Sequence, residues 1–91
     1  MKITPALLAE RFAAGFERRL CELARLADAA DAEGLRLAFH SLAGIGGTYG
    51  RHDITELARE GEVHCAMRDL AGVRRVVAEL LDRRDGWSTA A

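Results

Sequence analysis

Apolar residues recur three and four positions apart in four separate stretches of this chain, and its single proline, Pro5, stands ahead of the first stretch. Residues at that spacing share one face of a helix. A proline is tolerated at the first position of a helix but breaks its interior. The pattern predicts an all-α chain, with helices at residues 5–28, 32–49, 54–66 and 70–84 and a tail at 87–91.

Short polar residues mark the expected starts of these helices. Thr4, Asp31 and Asp69 each stand just before an apolar stretch, and side-chain oxygens of this kind accept hydrogen bonds from first-turn N–H groups. The segment Asp53-Ile54-Thr55-Glu56 has the spacing of a capping box. We therefore expect the third helix to begin at Asp53.

Two glycines mark further expected boundaries. Gly86 is placed to end the fourth helix, and Gly15 marks a bend or the end of a short extra N-terminal helix. Four amphipathic helices with short connections predict an antiparallel up-and-down four-helix bundle.

The composition excludes several classes of protein. The formal net charge of -1 is unlike the basic excess typical of nucleic-acid binders, and no apolar run approaches the ~20 residues that span a membrane. Residues 1–5 lack the apolar core of a secretory signal. We expect one cytoplasmic, monomeric domain over residues 1–91, binding neither nucleic acid nor membrane, with Cys21 and Cys65 reduced and partly buried.

The second stretch combines an apolar face with an accessible histidine, His40. On a helix at about 100° per residue, His40 stands almost opposite the apolar side. That apolar side carries Leu35, Ala38, Phe39, Leu42, Ile45, Gly46 and Tyr49. The side of His40 carries Arg36, Ala43, Gly44, Gly47 and Arg51. The surface beside the imidazole is therefore predicted to be bare.

Glycines inside a helix lower its stability by about 1 kcal/mol each relative to alanine. On the helical interpretation, Gly46 serves close packing on the apolar side, whereas Gly44 and Gly47 admit a partner to His40. The alternative is that these glycines form a loop and His40 is an ordinary surface histidine.

Other chemistries fit the sequence poorly. Ser41 adjoins His40, but neighbouring helical residues point about 100° apart, so a hydrolytic triad is disfavoured. The histidines at 40, 52 and 64 and the two cysteines show no metal-binding spacing; His52 and His64 are expected at the surface or its boundary. The glycines follow no strand and lack the lysine of a phosphate-binding loop.

An exposed imidazole still supports one definite reaction. Neutral imidazole is nucleophilic near neutral pH, and it can accept a phosphoryl group and pass it on. Such transfer depends on positioning and charge neutralisation. A chain that supplies only the nucleophile needs a partner that supplies the metal ion, and a bare surface on which that partner can dock.

These residues resemble the histidine phosphotransfer (HPt) domain family, whose pattern is close to His-x-Leu-Lys-Gly, with a glycine ten residues after the histidine. Here His40-Ser41-Leu42-Ala43-Gly44 aligns with that pattern, followed by Gly50. Ile54 and Leu57 take the family's leucine positions, and Glu62 takes the position of its glutamate.

The resemblance implies a four-helix bundle in which His40 receives phosphate from a receiver aspartate and passes it to another receiver. The partners it implies are response-regulator receiver domains and a hybrid histidine kinase. No cofactor is expected on this chain, and Mg²⁺ is expected on the partner receiver. The expected docking and access residues are Arg36, Ala43, Gly44 and Gly47.

Two positions depart from the family pattern. Ala43 replaces the lysine that helps to hold the phosphoryl group, and Gly61 replaces an apolar packing residue. Arg36 is a poorer substitute cation because its stem leans away from His40. Three functions therefore stay open: a phosphocarrier that is not itself an enzyme, an adaptor with weak or lost transfer, and the phospho-accepting domain of a larger histidine kinase.

Overall fold

The computed structural model describes residues 4–88, with side chains as far as residue 83. It contains four helices: α1 (Pro5–Asp28), α2 (Ala32–Thr48), α3 (His52–Ala66) and α4 (Leu70–Ser88). Residues 4–88 contain no strand. The predicted all-α class and the number of helices are confirmed, and α2 runs without interruption through Gly44, Gly46 and Gly47.

Three of the predicted helix starts are confirmed by hydrogen bonds. Thr4 Oγ1 accepts a hydrogen bond from the N–H of Leu7 at 3.1 Å. Asp31 Oδ1 accepts one from Gly34 at 2.9 Å, and Asp69 Oδ1 accepts one from Gly72 at 3.0 Å. Each of these side chains satisfies a backbone donor that the helix itself leaves unpaired.

The predicted capping box of the third helix is wrong. Helix α3 begins at His52, with Arg51 at the N-cap and no side-chain hydrogen bond in that role. Asp53 lies one residue inside the helix, where its carboxylate accepts hydrogen bonds from Arg51 at 3.2 Å and from Arg83 at 3.0 Å. The carboxylate therefore contacts two arginines and does not cap the helix.

Two predicted helix ends are also wrong. Helix α4 continues past residue 84 and through Gly86 to Ser88, so residues 87–88 are helical; residues 89–91 of the predicted tail lie outside the described part of the chain. Helix α1 continues through Gly15, so no separate N-terminal helix forms. Glycine lowers helix propensity by about 1 kcal/mol, which does not by itself end a helix.

Three-residue connections at 29–31, 49–51 and 67–69 join the helices. Each contains a residue with positive φ: Ala30 at 52°, Gly50 at 73° and Arg68 at 56°. Glycine adopts this conformation without steric cost. Gly50 therefore suits the turn that ends α2 beyond the histidine.

Residues from all four helices form the core. Its largest fully buried side chains include Phe16, Leu20, Leu23, Leu35, Phe39, Leu42, Ile54 and Leu80. Each helix packs on the one before it, and α1 also packs on α4. The result is an elongated body of 43 × 20 × 19 Å. Within residues 4–88, no helix is both long enough and apolar enough to cross a membrane.

Candidate functional site

His40 projects from the middle of α2 into solvent. Its side chain is 76% exposed, whereas the preceding residue, Phe39, is fully buried. Adjacent helical residues differ by about 100° in direction, so burial of Phe39 fixes the helix face on which the imidazole stands. The buried phenyl ring thus anchors α2 directly beside the exposed histidine.

A carboxylate from α3 lies against one nitrogen of this imidazole. Nδ1 of His40 is 3.3 Å from Oε1 of Glu62, whose side chain is 27% exposed. In the neutral tautomer with its hydrogen on Nδ1, the ring N–H faces this carboxylate. With the proton there, the second ring nitrogen, Nε2, carries the lone pair that can attack an electrophile.

Helices α2 and α3 pack closely because two glycines take the place of larger residues. A methyl group on Gly61 would stand 2.6 Å from ring carbons of Phe39, and one on Gly46 would stand 2.6 Å from Thr55 Oγ1. The Thr55 hydroxyl donates a hydrogen bond to the carbonyl of Ala43 at 2.9 Å. The packing role expected of Gly46 agrees with this geometry. Gly61 likewise accommodates the Phe39 ring.

Gly44 and Gly47 differ from Gly46 in having free space beside them. Both are exposed. A methyl group on Gly44 would meet nothing within 4 Å, and one on Gly47 would meet only Thr55 Oγ1 at 4.0 Å. The surface of α2 is therefore open at these two positions, and their role in admitting a partner stays a prediction.

The expectation that Ala43 lies on the open side is met only in part, because Ala43 borders the same groove as His40 but is largely covered. Ala43 is 8% exposed and belongs to the core. A projection of α2 alone places it beside His40, but α3 packs over it on that side, with Thr55 bonded to its carbonyl. The small methyl group allows that approach of α3.

An open groove of about 580 Å³ runs between α2 and α3 beside the histidine. It is lined by Arg36, His40, Ala43, Gly44, Arg59, Glu62, Val63 and Ala66. The groove thus combines the imidazole, one carboxylate, two arginines and an apolar wall.

Arg36 enters this groove already paired. Its Nη2 donates a hydrogen bond to Oε1 of Glu33 at 2.8 Å and its Nε donates one to Oε2 at 3.4 Å. The hydrogen bond and charge of Glu33 raise the pKa of Arg36, and the charge of Glu62 adds a smaller effect. Arg36 therefore stays charged, and two of its five donors are bonded to Glu33.

Comparisons with protein-family models, with curated proteins and with solved structures found no match to this chain.

The remaining histidines lie apart from the groove. His52 is exposed at the start of α3. His64 is 17% exposed, with Nδ1 3.0 Å from Asp69 and Nε2 3.1 Å from Arg75 Nη2. Within the described part of the chain, no group of three His, Cys, Asp or Glu residues is placed to hold a metal ion. His64 instead joins α3 to the start of α4.

The cysteines occupy different environments. Both thiols are free, Cys21 exposed and Cys65 buried, so the expectation of partial burial is wrong for Cys21. Burial, together with the charge of Glu62, raises the pKa of the Cys65 thiol, and Arg36 opposes this effect. A buried thiol with a raised pKa is a poor nucleophile, which leaves the imidazole as the reactive group near the groove.

Three groove residues were missed by the sequence reasoning, namely Arg59, Val63 and Ala66. Arg59 and Val63 stand one turn apart on α3, and Val63 is 56% exposed. The spacing of four residues from Arg59 to Val63 gave a signal that they share a helix face. Their position beside His40 depends on the packing of α3 against α2, which no local pattern encodes.

Proposed function

We propose that this chain is a phosphocarrier of a two-component phosphorelay, with His40 as the residue that accepts and returns the phosphoryl group. The observation that carries the proposal is the contact between the 76% exposed His40 and the Glu62 carboxylate, 3.3 Å from Nδ1. This pair lies in an open groove beside Gly44, where a partner can approach without obstruction.

The transfer step follows from that geometry. Nε2 of His40 donates its lone pair to the phosphorus of an aspartyl phosphate on a receiver domain. The bond from phosphorus to the aspartate oxygen breaks, and that oxygen keeps the bonding electrons as a carboxylate. Nδ1 keeps its proton, and Glu62 faces the positive charge that spreads over the ring. The receiver supplies the Mg²⁺ that neutralises phosphate charge.

The groove wall is suited to protein docking. Val63 offers an exposed apolar contact one residue from Glu62, and Gly44 admits the backbone of a partner. A receiver must bring its phosphoaspartate to within bonding reach of Nε2. A bare surface around the nucleophile is therefore an advantage for a protein whose substrate is another folded domain.

The helix arrangement agrees with this proposal. We infer an antiparallel up-and-down four-helix bundle because three-residue connections join the helices and each packs on its neighbours in sequence. Residues later in α2 also lie against residues earlier in α3: Phe39 lies against Gly61, whereas Gly46 lies against Thr55. This order is expected for two helices that run in opposite directions. The cytoplasmic location and the monomeric state remain predictions from the sequence.

Incubation with a phosphorylated receiver tests the proposal. We expect the chain to take up acid-labile, base-stable phosphate and to return it to unphosphorylated receiver. Binding of receivers without transfer would favour the adaptor. Transfer only from an adjoining kinase domain would favour the phospho-accepting domain of a histidine kinase. An absence of both binding and transfer across a broad panel of receivers would contradict the proposal.

A further inference from the structure

The site as described leaves one chemical requirement unassigned on this chain. A phosphoryl group on His40 brings negative charge next to Glu62, whose carboxylate is already within 3.3 Å of the ring. Like charges in one groove repel each other. A cation on the same groove is needed to offset this repulsion, and Ala43 supplies none.

Two arginines line the groove, and they differ in what they already bind. Arg36 holds Glu33 through two hydrogen bonds. Arg59 is exposed, and within the described part of the chain it has no hydrogen-bond or ion-pair partner. A guanidinium presents five donors in a fork that matches phosphate oxygens. Arg59 has all of these donors available, whereas two of the Arg36 donors are engaged by Glu33 and fix its guanidinium there.

The packing of α2 on α3 places Arg59 in the wall of the groove, close to the His40–Glu62 pair along the helix axis. Glu62 faces His40, and residues later in α2 lie against residues earlier in α3. Ala43 follows His40 by three residues on α2, and Arg59 precedes Glu62 by three residues on α3. Arg59 therefore stands one turn along from the His40–Glu62 pair, in line with Ala43 on the same groove.

The surroundings of Arg59 leave room for its side chain to move over the groove. Side chains of a helix lean toward its N-terminus, so Arg59, like Arg36, leans away from the level of His40 and must turn back over Gly44 to reach it. No atom lies within 4 Å of where a Gly44 side chain would begin. The guanidinium can thus cross that open space toward a phosphoryl group on Nε2.

We propose that Arg59 binds the phosphoryl group carried by His40 and supplies, from α3, the positive charge that Ala43 on α2 does not. This inference rests on the proposed phosphocarrier function. Arg59 forms no covalent bond; its N–H groups donate hydrogen bonds to phosphoryl oxygens as the group arrives and while it stays. Arg36 remains held by Glu33 and contributes as a second, already paired charge of the groove.

The test measures uptake of phosphate from one phosphorylated receiver by the whole chain. The variants are Arg59→Ala, Arg59→Lys, Arg36→Ala and, as a control, Arg74→Ala, which removes an exposed arginine of α4 that does not line the groove. Circular dichroism melts establish that each variant is folded. The pH titration of the phosphohistidine ³¹P resonance provides a second readout, because a bound cation lowers the pH at which the phosphohistidine takes up a proton.

We expect Arg59→Ala to slow uptake at least about three-fold, with Arg59→Lys intermediate, Arg36→Ala less affected than Arg59→Ala, and the Arg74→Ala control near the unmodified chain. The difference should shrink in about 1 M salt, which screens an exposed ion pair. The ³¹P titration should move to higher pH in Arg59→Ala alone.

The outcomes separate the inference from the function on which it rests. Unchanged uptake and an unchanged ³¹P titration in Arg59→Ala, with normal transfer to the parent chain, overturn the assignment of Arg59 only. A larger loss in Arg36→Ala than in Arg59→Ala also overturns it. An absence of transfer to the parent chain overturns the phosphocarrier function, and the role of Arg59 with it.

Discussion

The phenyl ring of Phe39 fills the space that a side chain at Gly61 would occupy, with ring carbons 2.6 Å from where its Cβ would stand. Phe39 is fully buried, and its neighbour His40 is the exposed imidazole of the groove. The same helix-to-helix contact brings Glu62, the residue after Gly61, to the imidazole. Packing inside the core therefore determines the geometry of the site outside it.

Gly61→Ala should destabilise the chain by about 1–3 kcal/mol, because the added methyl group overlaps the Phe39 ring in a packed core. Urea denaturation gives the free energy of unfolding. Gly15→Ala is the matched control, since a methyl group there meets nothing within 4 Å. It should raise stability by up to about 1 kcal/mol through helix propensity. Equal effects of the two substitutions would contradict the packing role of Gly61.

Gly44→Leu should leave the melting temperature unchanged or higher and yet slow transfer from a receiver at least ~10-fold, or about 1.4 kcal/mol. Leucine has the better helix propensity, and the space beside Gly44 is open, so the obstruction acts on the partner and not on the fold. Gly44→Ala, with its smaller side chain, should slow transfer less. Unfolding of Gly44→Leu would show that α2 needs the glycine for packing.

Glu62→Gln should slow phosphoryl uptake by His40 several-fold, on the order of 1 kcal/mol, without loss of helical structure. The amide keeps the shape of the carboxylate but removes the negative charge that lies 3.3 Å from Nδ1 and faces the positive charge formed on the ring during transfer. Stopped-flow or quenched-flow transfer from a phosphorylated receiver measures the rate. Glu56→Gln, on an exposed part of α3 outside the groove, is the control. Equal rates for both variants would remove Glu62 from the mechanism.

The stability of the α3–α4 connection should depend on pH through Asp69. The hydrogen bond from the Gly72 N–H lowers the pKa of Asp69, with burial opposing and His64 and Arg75 adding to the effect. A carboxyl group with a lowered pKa contributes stability above its unfolded value of about 3.9 and loses it as the pH falls through its folded pKa.

Melting temperatures from pH 7 to pH 2.5 measure this contribution. Asp69→Asn can still cap the helix but carries no charge, so it should melt below the parent chain at pH 7. The two melting temperatures should converge in acid. His64 contacts Asp69 and has Glu60 and Arg75 around it. The same comparison in chains that also carry His64→Gln therefore measures the contribution of the Asp69 helix cap without that of the His64 contact. A gap that stays constant with pH would contradict the assignment.

The local features of the fold were predictable from the sequence. Thr4, Asp31 and Asp69 cap helices because a cap depends on neighbours within three residues. The exposure of His40 followed from its angle to Phe39 and Leu42 on one helix. These features need no knowledge of how the helices pack.

Features set by packing between helices were not predictable in this way. Ala43 is largely covered by α3 although it borders the groove. Arg59 lines the groove only because of the way in which α3 packs against α2. Asp53 binds Arg83, thirty residues away, instead of forming a capping box. Glu62 was singled out by a family resemblance, whereas its contact with His40 comes from the structure.

The most direct test of the central claim is the identity of the phosphorylated residue. After exposure to a phosphorylated receiver, the parent chain should carry acid-labile, base-stable phosphate on His40 alone among its three histidines. His40→Gln should carry none, with its helical circular dichroism intact, while His52→Gln should be labelled as the parent chain is. Undiminished labelling of folded His40→Gln would contradict the account.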